Sequence, residues 1–264
     1  MKKELVMWLI IAVLVVGLLL GTQKAETMAI DFGNTFAHAK SVTFANPSGA
    51  VGLTQKSISM WFILNALPGV QDVVLFQLDN GTGGWVLRSN GGGTNAVYFY
   101  EWFSGTNGVW NQNTALSTTG IVYHLVITYD NSSVANNAVF YLNGIDDTSA
   151  GIQHPTGTKD SETSANLAIG NNQYNNAGYP LKILDFRIYN RILTPAEVLQ
   201  MYNARGRDNI RNGLVFCPFL KGAAGLQAFD GATLAAGNTI VDPCSGAVGV
   251  PAGNPVGVGE TYLR

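Results

Sequence analysis

Charge is what this chain has least of. Lys, Arg, Asp and Glu make up 12% of its 264 residues, about half the usual share of roughly 25%. No run of Lys or Arg occurs and the formal net charge is −2, which excludes nucleic-acid binding through a basic patch. Histidine is nearly absent: His38, His124 and His154 are scattered, and a lone His without a partner makes neither a base nor a metal site. The two cysteines, Cys217 and Cys244, lack the C-x-x-C spacing of zinc or redox chemistry. There is no G-x-S-x-G, P-loop, H-E-x-x-H or Rossmann signature. In place of charge the chain carries 31 glycines and many Asn, Ser and Thr. That composition suits an extracellular β protein, with Gly and Asn in its turns.

Met1 to Thr22 starts with Lys2 and Lys3, followed by an unbroken apolar run, Leu5 to Gly21. This is a secretory signal or a membrane anchor and not part of the fold. No A-x-A site follows, so an uncleaved anchor spanning the membrane through residues 5–21 is the expectation, with a cleaved signal as the other reading. The lysines would stay cytoplasmic and place the rest outside. Residues 1–28 are therefore a signal or anchor with a short linker. The protein is expected to be extracellular or on the cell surface, secreted or single-pass. In an oxidising compartment Cys217 and Cys244 are expected to pair as a disulfide.

Residues 29–206 read as one domain. Short strands recur with Gly/Asn turns: Ser41–Phe44, Ser57–Leu64, Val73–Leu78, Trp85–Arg88, Ala96–Phe103, Ile121–Asp130, Ala138–Leu142 and Asn166–Gly170. This spacing argues for a sandwich or barrel. Asn143-Gly144 is a hairpin turn. Leu181 to Asn203 then joins a strand to a helix near 195–203. Lys182, Leu184, Phe186 and Ile188 alternate with Ile183, Asp185, Arg187 and Tyr189. Thr194, Pro195 and Glu197 form a capping box, and Leu193 with Val198 a hydrophobic staple. Val198, Leu199 and Tyr202 give the helix its apolar stripe. Asp185 and Arg187, two residues apart on one face, read as a structural ion pair. Residues 207–264 are a Gly/Ala/Pro-rich extension whose segment 213–220 reads as a strand.

Several of these segments together resemble the laminin-G-like domains of the concanavalin A-like lectin/glucanase superfamily. Ser57-Ile58-Ser59-Met60-Trp61 is similar to one strand of that family, and Tyr123 to Asp130 to another. Val139 to Gly144 resembles its "lYvNG" hairpin. Leu167 to Gly170, with Leu184 to Glu197, resembles its strand, turn and capped helix. The resemblance covers about Ser41 to Asn203. It implies an all-β jelly roll of two antiparallel sheets. The family's usual first strand has no match upstream of Ser41, while Gly213 to Phe219 fits it downstream. Either that segment returns to complete the sandwich, which is the expectation because an uncovered sheet edge is a pairing hazard, or it opens a truncated second copy.

The chemistry expected is binding, not catalysis. A glycosidase needs two carboxylates, and Glu101 has no acidic neighbour two or five residues away. Sugars dock on aromatic faces rimmed by amides and carboxylates. Candidate ligand residues are Trp102, Trp110, Asn171, Asn172, Tyr174 and Tyr179. Tyr98 and Tyr100 share the strand face of Trp102, and core packing is the favoured reading of that stripe. The resemblance implies calcium in several branches of the family. Asp79 and Asp130 are the candidate ligands here, though both also fit plain turns. The sequons Asn80-Gly81-Thr82 and Asn131-Ser132-Ser133 matter only in a host that N-glycosylates. The reading that follows is a surface module for glycan or protein ligands. A structural part of a virion or appendage stands second and a glycoside hydrolase third.

Overall fold

The computed structural model describes residues 27–36, 40–89, 92–149, 153–218, 240–245, 247–252 and 256–260. The N-terminal hydrophobic segment, His38 and the last two residues of the expected strand 213–220 lie outside them. The alternating segments pair into two antiparallel sheets of eight strands each among the described residues. The first sheet runs β10 (Ile145–Asp146), β9 (Val139–Leu142), β8 (Val122–Asp130), β3 (Gln55–Leu64), β12 (Leu181–Tyr189), β1 (Thr27–Asp31) and β16 (Val256–Glu260), with β13 (Leu214–Phe216) also on β12. The second runs β14 (Ile240–Val241), β15 (Val248–Ala252), β2 (Ser41–Phe44), β11 (Asn166–Ile169), β4 (Val74–Asp79), β5 (Gly84–Ser89), β6 (Val97–Glu101) and β7 (Gly108–Asn111). The fold is the all-β sandwich expected, with one short helix among the described residues, α1 (Pro195–Ala204).

The core lies between the sheets. Ile58, Met60, Phe62 and Leu64 of β3 and Phe186 and Ile188 of β12 face Val42, Phe44, Phe76 and Leu78 from the other sheet. Phe186 meets Phe76 edge-on at 5.2 Å, and Phe44 meets Phe216 at 4.9 Å. Each such ring contributes roughly 1.5–3 kcal/mol by burial. The simple alternation expected for β12 does not hold along its length. Its pairing with β3 shifts register between Ile183 and Asp185. This bulge lets Leu181 and Ile183 join Phe186 and Ile188 in the core, while Leu184 packs on the opposite side with Ala29, Trp61 and Ile63. One inserted residue inverts the phase of everything before it.

Helix α1 covers the outer face of β12. Thr194 accepts from the Glu197 backbone N–H, and the Glu197 carboxylate accepts from Thr194, closing the capping box. Leu193 and Val198 are buried together with Tyr189 and Met201. The expected stripe is corrected at one position: Met201 is buried, whereas Leu199 is 45% exposed. Below the helix, Arg187 donates to Asp185 at 2.6 Å and to both oxygens of Asp208 at 2.9 Å. Burial works against the guanidinium charge, but the flanking carboxylates of Asp185 and Asp208 outweigh it and push the pKa further up. This ties the turn after α1 to the sheet, and Asp185 and Arg187 form the structural pair expected.

Strand β1, upstream of the expected first strand, pairs with β12 and β16. β13 takes the place beside the C-terminal half of β12. The extension therefore adds strands to both sheets. Cys217 and Cys244 form a disulfide with Cα atoms 5.7 Å apart. It joins the end of β13 to the turn after β14, linking the two sheets. Closing a loop of this length contributes about 3 kcal/mol.

His124 is fully buried on the outer face of β8, stacked 4.4 Å from Trp61, with Nε2 3.1 Å from Ser59 Oγ. Burial first, then the Arg187 charge, lowers its pKa to about 3. The unfolded chain therefore binds the proton more readily than the folded one. The neutral ring's contribution is complete above the unfolded pKa of about 6.5 and is lost as pH falls towards 3. We expect urea stability to fall between pH 6.5 and pH 4, and His124→Phe to flatten that slope. An unchanged slope in the variant would assign the pH dependence elsewhere.

Candidate functional site

Strand β6 has bulk on both faces, so sequence could not decide which side is inside. Val97, Phe99 and Glu101 are buried, and Tyr98 and Tyr100 alternate with them half-buried on the outer face. Trp102 continues that outer row. The stripe favoured as core is therefore a surface stripe, because Phe99 fills the interior against Trp85 and Trp110.

Tyr100 and Trp102 line a cleft of about 430 Å³ on this outer face. Val86 and Arg88 enter it from β5, and Val74 and Gln77 from β4. A register shift between Val74 and Phe76 lets both β4 residues face outward while Leu75 and Phe76 both stay in the core. Asp72, Asn107, Asn172 and Ala177 complete the rim from loops. The Arg88 guanidinium sits 4.2 Å from the Tyr100 ring centroid, and Nη1 donates to Asp72 at 3.0 Å. Its buried Nε–H has no hydrogen-bond partner among the described residues. The cleft thus combines aromatic faces, carboxamides and an oriented ion pair. A second cleft of about 540 Å³, lined by Asp31, Asn65 and Thr119 among others, contains no aromatic ring.

The candidate ligand residues scatter. Trp102 and Asn172 come together in the cleft. Trp110 does not: it is 1% exposed, packed 4.5 Å from Tyr129, with Nε1 donating to Asn137. Tyr179 is fully buried in the core, and its hydroxyl has no hydrogen-bond partner among the described residues. Asn171 is also buried, and its Oδ1 accepts from Asn172 and Ala177, which shapes the loop. Tyr174 is 66% exposed on that loop and does not line the cleft. Arg88, Asp72, Gln77 and Asn107 were missed, because each is an isolated polar residue that belongs to no sequence motif. The alternation of Val86 and Arg88 against Trp85 and Leu87 was the one available clue.

Neither metal candidate, Asp79 or Asp130, falls in a group of three or more His, Cys, Asp or Glu side chains that could share an ion among the described residues. Asp79 is buried; its Oδ1 accepts from Gly81 N–H and its Oδ2 from Gln77 and Gln173. Asp130 accepts from Ser132 and Gln55, which hold its carboxyl below the usual range. Cys217, Asp242 and Cys244 do cluster, but both sulfurs are in the disulfide and neither is a thiolate. Glu101 is wholly buried on the inner face of β6, so it cannot reach a ligand in the cleft.

A laminin G family model of the concanavalin A-like lectin/glucanases superfamily matches residues 36–199. The chain belongs to that family. No curated protein matches it. Among solved structures it is similar to a heptameric SAP-like pentraxin from Limulus polyphemus, at 8% identity and a TM-score of 0.58, covering 90% of this chain and 98% of that one. It is also similar to a putative carbohydrate binding protein from Bacteroides ovatus, at 18% identity and a TM-score of 0.56. That match covers 87% of this chain and 59% of the other. At these identities the likeness shows the fold.

Burial pushes the Tyr179 hydroxyl pKa far up, and an unpaired buried hydroxyl is a cost to folding. Tyr179→Phe is therefore expected to keep or slightly raise the melting temperature. A loss of more than about 1 kcal/mol on urea unfolding would mean that the hydroxyl has a partner.

Proposed function

We propose that the protein is a non-enzymatic binding module that holds a carbohydrate chain in the cleft over β4, β5 and β6. The observation that carries this is the half-buried Tyr100 and Trp102 row beside the Arg88–Asp72 pair. Sugar C–H faces stack on such rings, while hydroxyls take directional bonds from a carboxylate, a guanidinium and carboxamides. The pairing of Arg88 with Asp72 orients both groups before a ligand arrives, which lowers the cost of binding. The carbohydrate-binding description of the Bacteroides ovatus neighbour supports the reading by analogy of fold. We place the module outside the cell, held by residues 5–21 or released. The low charge and the N-terminal apolar run support that location.

A glycan array on residues 27–264 tests this. At least one polysaccharide class is expected to bind. Trp102→Ala should weaken it about tenfold, the equivalent of ~1.4 kcal/mol. Tyr174→Ala should leave it unchanged, and so should EDTA. Binding lost with Tyr174 or with calcium removal, but kept in Trp102→Ala, would move the site off this cleft. No binding to any glycan would favour a protein ligand.

A further inference from the structure

Among the described residues, the sandwich interior holds a charged cluster that ligand binding does not use. Lys56 on β3 and Glu101 on β6 are both fully buried, with Nζ 2.6 Å from Oε1. Asn131, just past the end of β8, donates from Nδ2 to the same Oε1 at 3.0 Å. An amine and a carboxamide thus meet on one carboxylate oxygen. Backbone and side chain both fix Asn131: its N–H donates to Thr54 O and its Nδ2 also to Leu53 O. Lys56 and Tyr129 are cross-strand partners, and the Lys56 ammonium lies 5.5 Å from the Tyr129 ring. Glu101 Oε2 is buried with no hydrogen-bond partner among the described residues. Lys159 stands further off, 3.9 Å from Glu101 and paired to Glu162 at 3.0 Å.

A buried ion pair is weak support for a fold, because desolvation offsets the attraction. The arrangement suits a reaction better. We propose that Lys56 and Asn131 form an intramolecular amide cross-link, with Glu101 as the catalytic proton carrier. Lys56 passes a proton to Glu101 and attacks Cγ of Asn131 as the free amine. A new C–N bond forms, and the carbonyl electron pair moves to Oδ1. Nζ loses its second proton, Glu101 delivers protons to Nδ2, the carbonyl re-forms, and the Cγ–Nδ2 bond breaks with its electrons on the leaving nitrogen. In sum, an alkylammonium and a carboxamide become a secondary amide and an ammonium ion. No oxidant or cofactor is needed. Fixed partners in a water-poor interior raise the effective concentration of the amine and suppress hydrolysis. Asn131 is only half-buried, which gives the ammonia a way out. The product would lock β3 to β8 at their hydrogen-bonded ends.

Peptide mapping by mass spectrometry of the folded, purified chain decides this. Lys56 and Asn131 are expected in one branched peptide, lighter by one ammonia than the two separate peptides together. Asn131→Ala removes the electrophile at a half-exposed position and leaves the Lys56–Glu101 pair, so it should fold and lack the branch. Two free peptides from the folded wild-type chain would leave only an ion pair and overturn the proposal. A branched peptide at full yield in Glu101→Gln would remove Glu101 from the chemistry.

Discussion

Strand β12 must be buried on both faces, and the rest of the molecule is arranged around that constraint. Its inner face packs on the second sheet through Phe186 and Ile188, and its outer face lies under α1 through Tyr189. A strand with two apolar faces cannot lie at a surface, so something must cover each side. The capped helix covers one, and the turn at Gly206 to Asp208 is pinned beneath it by Arg187. The bulge at Leu184 reconciles the two packings. Without it Ile183 and Phe186 would point in opposite directions.

Part of the scarce charge is buried in ion pairs. Arg187 with Asp185 and Asp208, and Lys56 with Glu101, are all buried. In a chain with so few ionic groups, each buried pair fixes one spatial relationship. Arg187 sets the helix turn against the sheet. Glu101 brings together β6, β3 and the end of β8. The one outward pair in the cleft, Arg88 with Asp72, lies instead where a ligand can meet it.

Periodicity made the strands legible and left a sandwich or a barrel open, and the family resemblance implied two sheets; the Asn143-Gly144 hairpin and the α1 cap were legible because each depends on local geometry. Asn143 and Gly144 do adopt the positive φ values that such a turn requires. Three things were hidden. The bulges in β4 and β12 depend on partner strands, and no local signal marks them. Strands β1, β15 and β16 are held by pairing with distant segments, and β14 has only two residues, so none of them carries a clear local strand signal. The third was the site itself. The aromatic stripe was visible, but its direction was set by Phe99 and Trp110 competing for the interior. Trp110 and Tyr179 looked like loop aromatics and instead fill the core. Arg88 carried no signal apart from its alternation with Leu87.

The central claim is that ligand binding uses the outer face of the second sheet, where the row from Tyr100 to Trp102 meets the Arg88–Asp72 pair. A crystal structure of the protein with an oligosaccharide tests it most directly. The account predicts a sugar ring lying against Trp102, with hydroxyls within hydrogen-bond distance of Asp72 and Arg88. Density for the sugar at the Tyr174 loop or at the cleft beside Asn65, with the β4–β6 face empty, would contradict it.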